Sequence, residues 1–214
     1  MIKCVIFDFD GVIAESVDVK TEAFKILFKD YPEHLETIAQ FHIDNGGMSR
    51  YEKFRFIYKN IIDEALSKDK FIELCNMFSE LVVEKVVSAP FVEGVPDLLD
   101  KCFNRFEMFI VSGTPDEEIK KIVRRRELDK YFREILGSPT SKTNLVGKVL
   151  KENNYNPKEV IFIGDSRNDL KAAVDTGTHF IARIVTGLAW TNHRTIRQKF
   201  KNMSGVFEYI EAIT

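Results

Sequence analysis

The chain has 214 residues, 44% hydrophobic and 12% aromatic, enough to bury one large domain or a core with a smaller insert. Its 31 Lys+Arg against 33 Asp+Glu leave a formal net charge of -2, a near balance that argues against a broad nucleic-acid or anionic-membrane surface. No apolar run approaches the roughly 18–20 residues of a membrane span, and the stretch after Met1-Ile2-Lys3 meets Asp8 and Asp10 too soon for a secretory leader. Cys4, Cys75 and Cys102, widely spaced among apolar neighbours, read as free thiols of a reducing cytoplasm, not a disulfide framework or metal cluster.

In chain order, Cys4-Val5-Ile6-Phe7 is a short β-prone run that ends in Asp8-Phe9-Asp10-Gly11. From about Ser16 to Ala89 the pattern changes to helical spacing (Ala23, Phe24, Leu27, Phe28; Phe54, Ile57, Tyr58, Ile61; Phe71, Leu74, Phe78, Leu81), broken by turn signals at Asp30-Tyr31-Pro32, Asp44-Asn45-Gly46-Gly47 and Ser67-Lys68-Asp69. This predicts an all-helical insert of about 75 residues, a size suited to a small bundle. The return through Pro90 to Pro96 reads as an extended linker. A second strand over residues 106–111 ends in Ser112-Gly113-Thr114-Pro115, and a helix follows from Pro115 to Arg126. Its Lys120, Lys121, Arg124, Arg125 and Arg126 read as a solvated face. A helix over 144–152, a third strand over 160–163 ending in Gly164-Asp165-Ser166, a helix over 169–176 closed by Gly177, and a weak strand over 180–182 complete the alternation. Continuous apolar strands alternating with helices predict an α/β fold: a Rossmann-like, doubly wound parallel sheet carrying an inserted all-helical cap. The expected division is 1–15 and 90–214 for the core and 16–89 for the cap.

In such sheets ligands bind beyond the carboxyl ends of the strands, where three of these strands end in polar residues. Asp8 and Asp10, two apart, project to the same side in extended geometry. With Asp165 and Asp169 they put four carboxylates in one crevice, which calls for a hard divalent cation such as Mg²⁺. Lys142 is a candidate fixed positive charge, and Ser112 with the Gly113 and Thr114 N–H groups can hold anionic oxygens before a helix. Together these make a receptor for a phosphoryl group.

Asp8-Phe9-Asp10-Gly11-Val12-Ile13, then Ser112, then Lys142, then Gly164-Asp165-Ser166-Arg167-Asn168-Asp169 resemble, in order and spacing, the four motifs of the haloacid dehalogenase superfamily. The resemblance covers nearly the whole chain and extends to members like β-phosphoglucomutase and phosphoglycolate phosphatase, with a helical cap between the first and second motifs. It implies that Asp8 attacks phosphorus and becomes an aspartyl phosphate, and that Asp10 gives a proton to the leaving oxygen, with a pKa raised by the closed site. It also implies that Asp8, Asp165 and the Asp10 backbone carbonyl hold Mg²⁺, with Asp169 direct or through water, while Ser112, Gly113 and Lys142 bind phosphoryl oxygens. An acid at position 10 favours phosphate esters over halides or phosphonates. Thr143 stands where many relatives carry proline after the third-motif lysine.

In the cap, Gly46-Gly47-Met48-Ser49-Arg50-Tyr51-Glu52-Lys53 resembles the substrate-contacting segment of the mutase-like members, which makes Arg50, Lys53 and Lys20 candidate substrate contacts; Ser49 alternatively serves as an N-cap. The mutases carry histidine where this chain has Lys20. The expectation is a cytoplasmic Mg²⁺-dependent phosphatase of a small phosphorylated metabolite such as a sugar phosphate, a monomer or small homo-oligomer without nucleic-acid or membrane partners. A phosphomutase and a non-enzymatic phospho-acceptor or binding module are the alternatives. His34, His42, His179 and His193 form no cluster in the sequence, and neither Trp190 nor the tail with Arg194 and Arg197 suggests a role.

Overall fold

The structure is a computed structural model and describes residues 1–184 and 193–214. Six strands form one parallel sheet: β1 (Cys4–Phe7), β2 (Glu107–Pro115), β3 (Glu134–Ser138), β4 (Val160–Gly164), β5 (His179–Arg183) and β6 (Ile196–Phe200), in the order β3-β2-β1-β4-β5-β6. Alternation along β1 sends Val5 and Phe7 into one apolar layer and Cys4 and Ile6 into the other. Helices α5 (Val95–Cys102), α6 (Asp116–Arg125) and α9 (Val206–Ala212) supply the first layer through Leu98, Ile122 and Val206. Helices α7 (Lys142–Glu152) and α8 (Arg167–Thr176) supply the second through Val146, Val149 and Ala173. Both faces of the central strands are thus dry, which is why they read as unbroken apolar runs.

Between β1 and β2 the chain makes α1 (Val17–Leu27), α2 (Leu35–Asp44), α3 (Arg50–Ile57) and α4 (Lys68–Ser88), with a π-turn over Tyr58–Ile62 extending α3. Ser49 caps α3 in a reciprocal capping box with Glu52, and Ser67 caps α4. The helices close around Phe24, Phe28, Phe54 and Phe78, all fully buried, with the Phe24 ring 5.1 Å from Phe78 and 5.6 Å from Phe54. The outgoing and returning chains run side by side at the neck: Glu15 N–H donates to Pro90 O (2.9 Å) and Val92 N–H to Ile13 O (3.0 Å).

Three expectations need correction. Residues 90–96 are not wholly a linker, because Pro96 sits in the first turn of α5, where its missing N–H costs nothing. Strands β3 and β6 and helix α9 were not anticipated. Both strands lie at sheet edges, and Ile196-Arg197-Gln198-Lys199-Phe200 exposes its three middle residues, so it lacks the apolar run of an interior strand. Arg126 is no solvated residue: its Nη1 donates to the carbonyls of Val86 (2.9 Å), Val87 (2.9 Å) and Ala89 (2.6 Å), closing the end of α4. Gly177, with φ 76°, ends α8 as expected. Trp190 lies outside the described residues.

Removing a ring from the insert's aromatic cluster leaves a cavity that three neighbouring rings cannot fill. Phe54→Ala should therefore destabilise the protein by about 3–5 kcal/mol in urea denaturation, against less than about 0.5 kcal/mol for an exposed control such as Lys59→Ala.

Candidate active site

Strands β1 and β4 are neighbours, and the chain leaves them toward opposite edges of the sheet, which opens a crevice beyond their carboxyl ends. Asp8 and Asp10 follow β1, Asp165 follows β4, Asp169 lies in the first turn of α8, Lys142 opens α7, and Ser112-Gly113-Thr114 ends β2. The crevice is narrow enough to dictate two glycines. A Cβ at Gly11, whose φ is 74°, would collide with the Asp165 carboxylate, and one at Gly164 would collide with Asp169.

Lys142 stands between two acids, its Nζ 2.8 Å from Asp8 Oδ2 and 2.5 Å from Asp169 Oδ1. Asp8 Oδ1 accepts from Phe9 N–H (2.7 Å), and Asp169 Oδ2 accepts from the Ser166 hydroxyl (2.5 Å) and N–H (3.1 Å). Burial pushes the Asp8 carboxyl up to about 7; Lys142 pulls against this, while Asp169 and Asp10 add to it. Asp165 is held well above the ordinary carboxylate range by burial and by Asp8 and Asp169. Burial opposes the Lys142 charge, but Asp169 and Asp8 outweigh it and raise its pKa.

Asp8, Asp165 and Asp169 each bring one carboxylate oxygen within 4.8 Å of the others. Two buried acids, the half-buried Asp165 and one ammonium leave negative charge uncompensated, and the donors are all oxygen, so the residues fit a hard divalent cation.

Asp10 behaves differently from its neighbours. Its Oδ1 accepts from Ser16 Oγ (2.6 Å); its Oδ2 accepts from Thr114 Oγ1 (3.1 Å) and from the Lys20 ammonium, which also donates to Thr114 Oγ1 (2.8 Å). Burial acts to raise its pKa, but Lys20, Ser16 and Thr114 together outweigh burial and hold it below the ordinary value. The expectation of a raised Asp10 is therefore corrected: the acid crowding that lifts Asp8 is answered at Asp10 by a lysine from the insert. Ser112 is fully buried, and its Oγ accepts from Thr114 N–H (3.1 Å), so that one of the two N–H groups foreseen for anionic oxygens is already engaged.

The insert covers the crevice. Asn168 Nδ2 donates to Gly46 O (2.9 Å), and a Cβ at Gly113 would stand 2.5 Å from Gly47 O. Between the two parts lies a cavity of about 350 Å³, walled by Asp8, Asp10, Gly113 and Asp165 on one side and by Phe24 and Phe78 on the other. Lys20, Arg50 and Lys53 all line it. Arg50 is not free to meet a ligand's charge as expected: its guanidinium grips the Glu118 carboxylate of α6 and donates to Ser79 Oγ (2.7 Å). Lys53 Nζ contacts His42 Nδ1 (2.9 Å) and His42 O (3.1 Å). His42 and Arg183, which binds Glu15 and donates to Gly11 O (2.8 Å), also line the cavity and were not foreseen. A lone histidine on a helix and an arginine at the end of a weak strand carry no sequence signal of that placement.

A family model described as "Haloacid dehalogenase-like hydrolase" matches residues 5–183. The chain belongs to that family. Within the haloacid dehalogenase-like hydrolases it is a phosphatase-type enzyme, similar to phosphoglycolate phosphatase 1 of Pseudomonas aeruginosa (26% identity, covering 84% of this chain and 68% of the relative). It is similar also to the phosphorylated carbohydrates phosphatase of Thermotoga maritima (26% identity, 87% of each chain). A solved structure described as a predicted phosphatase from Clostridium acetobutylicum shares the fold, with a TM-score of 0.77 at 18% identity over 99% of each chain. The Asp8-to-Asp169 constellation and the helical insert after β1 both lie inside the matched span.

His42 makes a pH test of this arrangement. Burial, reinforced by Lys53 and Lys20, pushes its pKa down to about 2 from 6.5. Between those values the unfolded chain binds a proton that the folded chain refuses, so stability falls as pH falls, by up to about 1.4 kcal/mol per pH unit. His42→Gln should flatten urea-derived stability against pH between 6.5 and 5 relative to wild type; parallel curves would contradict the buried neutral imidazole.

Proposed function

We propose that the protein is a Mg²⁺-dependent phosphatase that hydrolyses a small phosphorylated metabolite through an aspartyl phosphate on Asp8. The observation that carries this reading is the meeting of Asp8, Asp165, Asp169 and Lys142 at one point on the cavity floor, with Asp10 beside them on a separate hydrogen-bond network. The names of the relatives, phosphatases of phosphoglycolate and of phosphorylated carbohydrates, support the substrate class.

In this reading residues 1–15 and 90–214 are the catalytic core and 16–89 the cap. Asp8, Asp165 and the Asp10 backbone carbonyl would hold Mg²⁺, with Asp169 direct or through water; the ion supplies positive charge against the phosphoryl oxygens. Lys142, Ser112 and the Gly113 N–H bind those oxygens, which lets the dianionic group approach an anionic nucleophile. Asp8 then attacks phosphorus, splitting one hard displacement into two easier ones. Asp10 donates a proton to the leaving oxygen and takes one from the water that releases phosphate. Lys20 favours ionised Asp10, so proton donation by Asp10 requires that pairing to weaken. Free thiols at Cys4, Cys75 and Cys102 support a cytoplasmic setting, and no described helix is long and apolar enough to cross a membrane.

Purified protein should release inorganic phosphate from members of a phosphomonoester panel with Mg²⁺ and lose that activity in excess chelator. Asp8→Asn should lower turnover by about 10³-fold or more with an unchanged circular dichroism spectrum. No phosphate release across the panel, with Mg²⁺ present, would refute the reading.

A further inference from the structure

Arg183, the last residue of β5, is buried and spends its whole guanidinium on one stretch of chain and the strand beside it. Nη1 donates to Gly11 O (2.8 Å) and to Glu15 Oε2 (2.9 Å), and Nη2 to Glu15 Oε1 (2.6 Å). Nε donates to Lys201 O (3.2 Å), and the Arg183 backbone pairs with Phe200 of β6, so the clasp is rooted in the sheet. A planar fork can hold a carboxylate and a carbonyl together at fixed angles, which a single ammonium cannot.

The stretch it clasps carries Asp10. Gly11 has to lack a side chain, because a Cβ there would stand 1.9 Å from Asp165 Oδ2. The residue that lets Asp165 approach is thus also the loosest joint in the turn, and it lies directly beside Asp10. Hydrogen bonds inside the turn join Gly11 N–H to Ala14 O (2.8 Å), and the Ile13 and Ala14 N–H groups to Phe9 O (2.9 and 3.1 Å). None of them reaches the Gly11 carbonyl, to which Arg183 is the one donor among the described residues. The other end of the clasp, Glu15, stands at the neck, where its N–H meets Pro90 O. One guanidinium therefore fixes the turn at both ends.

The partners of the Asp10 carboxylate divide between the two parts of the molecule. Ser16 and Lys20 come from the insert side of the neck, and Thr114 comes from the core. Proton donation requires the Lys20 pairing to weaken, and at that moment the acid loses one of its restraints. Arg183 belongs to the core and holds the backbone, not the carboxylate, so its grip does not depend on Lys20.

Resting on the phosphatase reading, we infer that Arg183 is a positioning residue for the acid step: by clasping Gly11 O and Glu15 it keeps Asp10 aimed at the leaving oxygen. It touches no reacting atom in this role.

Leaving groups of different basicity test this in the whole protein with Mg²⁺. An alkoxide departs only with a proton, whereas nitrophenolate departs without one. The ratio kcat/KM covers the steps through departure of the alcohol, so it reads Asp10 as acid and not its later action as base. The esters are p-nitrophenyl phosphate and an alkyl ester that wild type hydrolyses, benzyl or glycerol phosphate. Arg183→Gln should lower kcat/KM by about 30-fold or more on the alkyl ester and by less than about threefold on p-nitrophenyl phosphate. Arg183→Lys, which keeps the charge but cannot span both partners, should show the same split at about fivefold or more, and it decides the matter if the glutamine variant does not fold. Asp10→Asn calibrates the split. A merely structural role lowers both esters alike, so equal losses or none in the folded Arg183 variants overturn the inference and leave the phosphatase reading standing. Equal losses in Asp10→Asn remove Asp10 as the acid and the inference with it. No hydrolysis of these esters or of the broader panel by wild type overturns both.

Discussion

The site depends on one shared ammonium. Lys142 touches Asp8 and Asp169 at once, in a place where neither acid reaches water. Removing one partner from such a buried cluster leaves an uncompensated charge, a loss of about 3–5 kcal/mol in comparable sites. The contact also ties three elements together. Lys142 is the first residue of α7, Asp8 follows β1, and Asp169 uses its second oxygen to complete the capping box of α8 with Ser166. The start of each helix is therefore registered against the tip of the central strand by the same charges that bind the phosphoryl group in the proposed reaction. Stability and chemistry draw on one cluster, which leaves Asp165, without a direct cationic partner among the described residues, as the acid with most to gain from a metal ion.

What could be read in the sequence follows from what is periodic or local. The interior strands announce themselves because both faces are dry, and the strand-tip acids follow from them once a parallel sheet is inferred. The helical insert was legible from the spacing of Phe24, Phe54, Phe78 and their neighbours, which do meet in one aromatic cluster. Edge strands β3 and β6 show no such run: β6 exposes its middle residues, and β3 has only Ile135 and Leu136 between Glu134 and Gly137. The contacts that set the cavity's electrostatics join distant residues: Arg50 to Glu118, Lys53 to His42, Arg183 to Glu15. No spacing rule encodes these, because each depends on how the insert folds back over the sheet. Asp10 shows the same limit at short range. Its acid neighbours suggested a raised pKa, but Lys20, one turn into α1, reverses the sign once the neck places it there.

The insert meets the core through polar contacts around the crevice: Lys20 to Asp10, Asn168 to Gly46 and Arg50 to Glu118. The last is well shielded and shared with Ser79 of α4, so a single core carboxylate engages two helices of the insert. The close fit of Gly47 against Gly113 adds a steric condition, since any side chain at position 113 would hold the loop away. Charge and backbone proximity at the site thus add to the neck hydrogen bonds, the Arg126 contacts at the end of α4 and the shared apolar cluster in seating the insert.

This arrangement divides the reading of a substrate between the two parts and links the division to the chemistry. The core presents acids and Lys142, which can distinguish a phosphoryl group but not what it is attached to. The insert contributes the apolar wall of Phe24 and Phe78, which in the proposed reaction would meet the attached group. It also supplies Lys20, the residue that holds Asp10 ionised. A ligand that fills the cavity and draws Lys20 from Asp10 would alter the acid–base state of the core from the insert side.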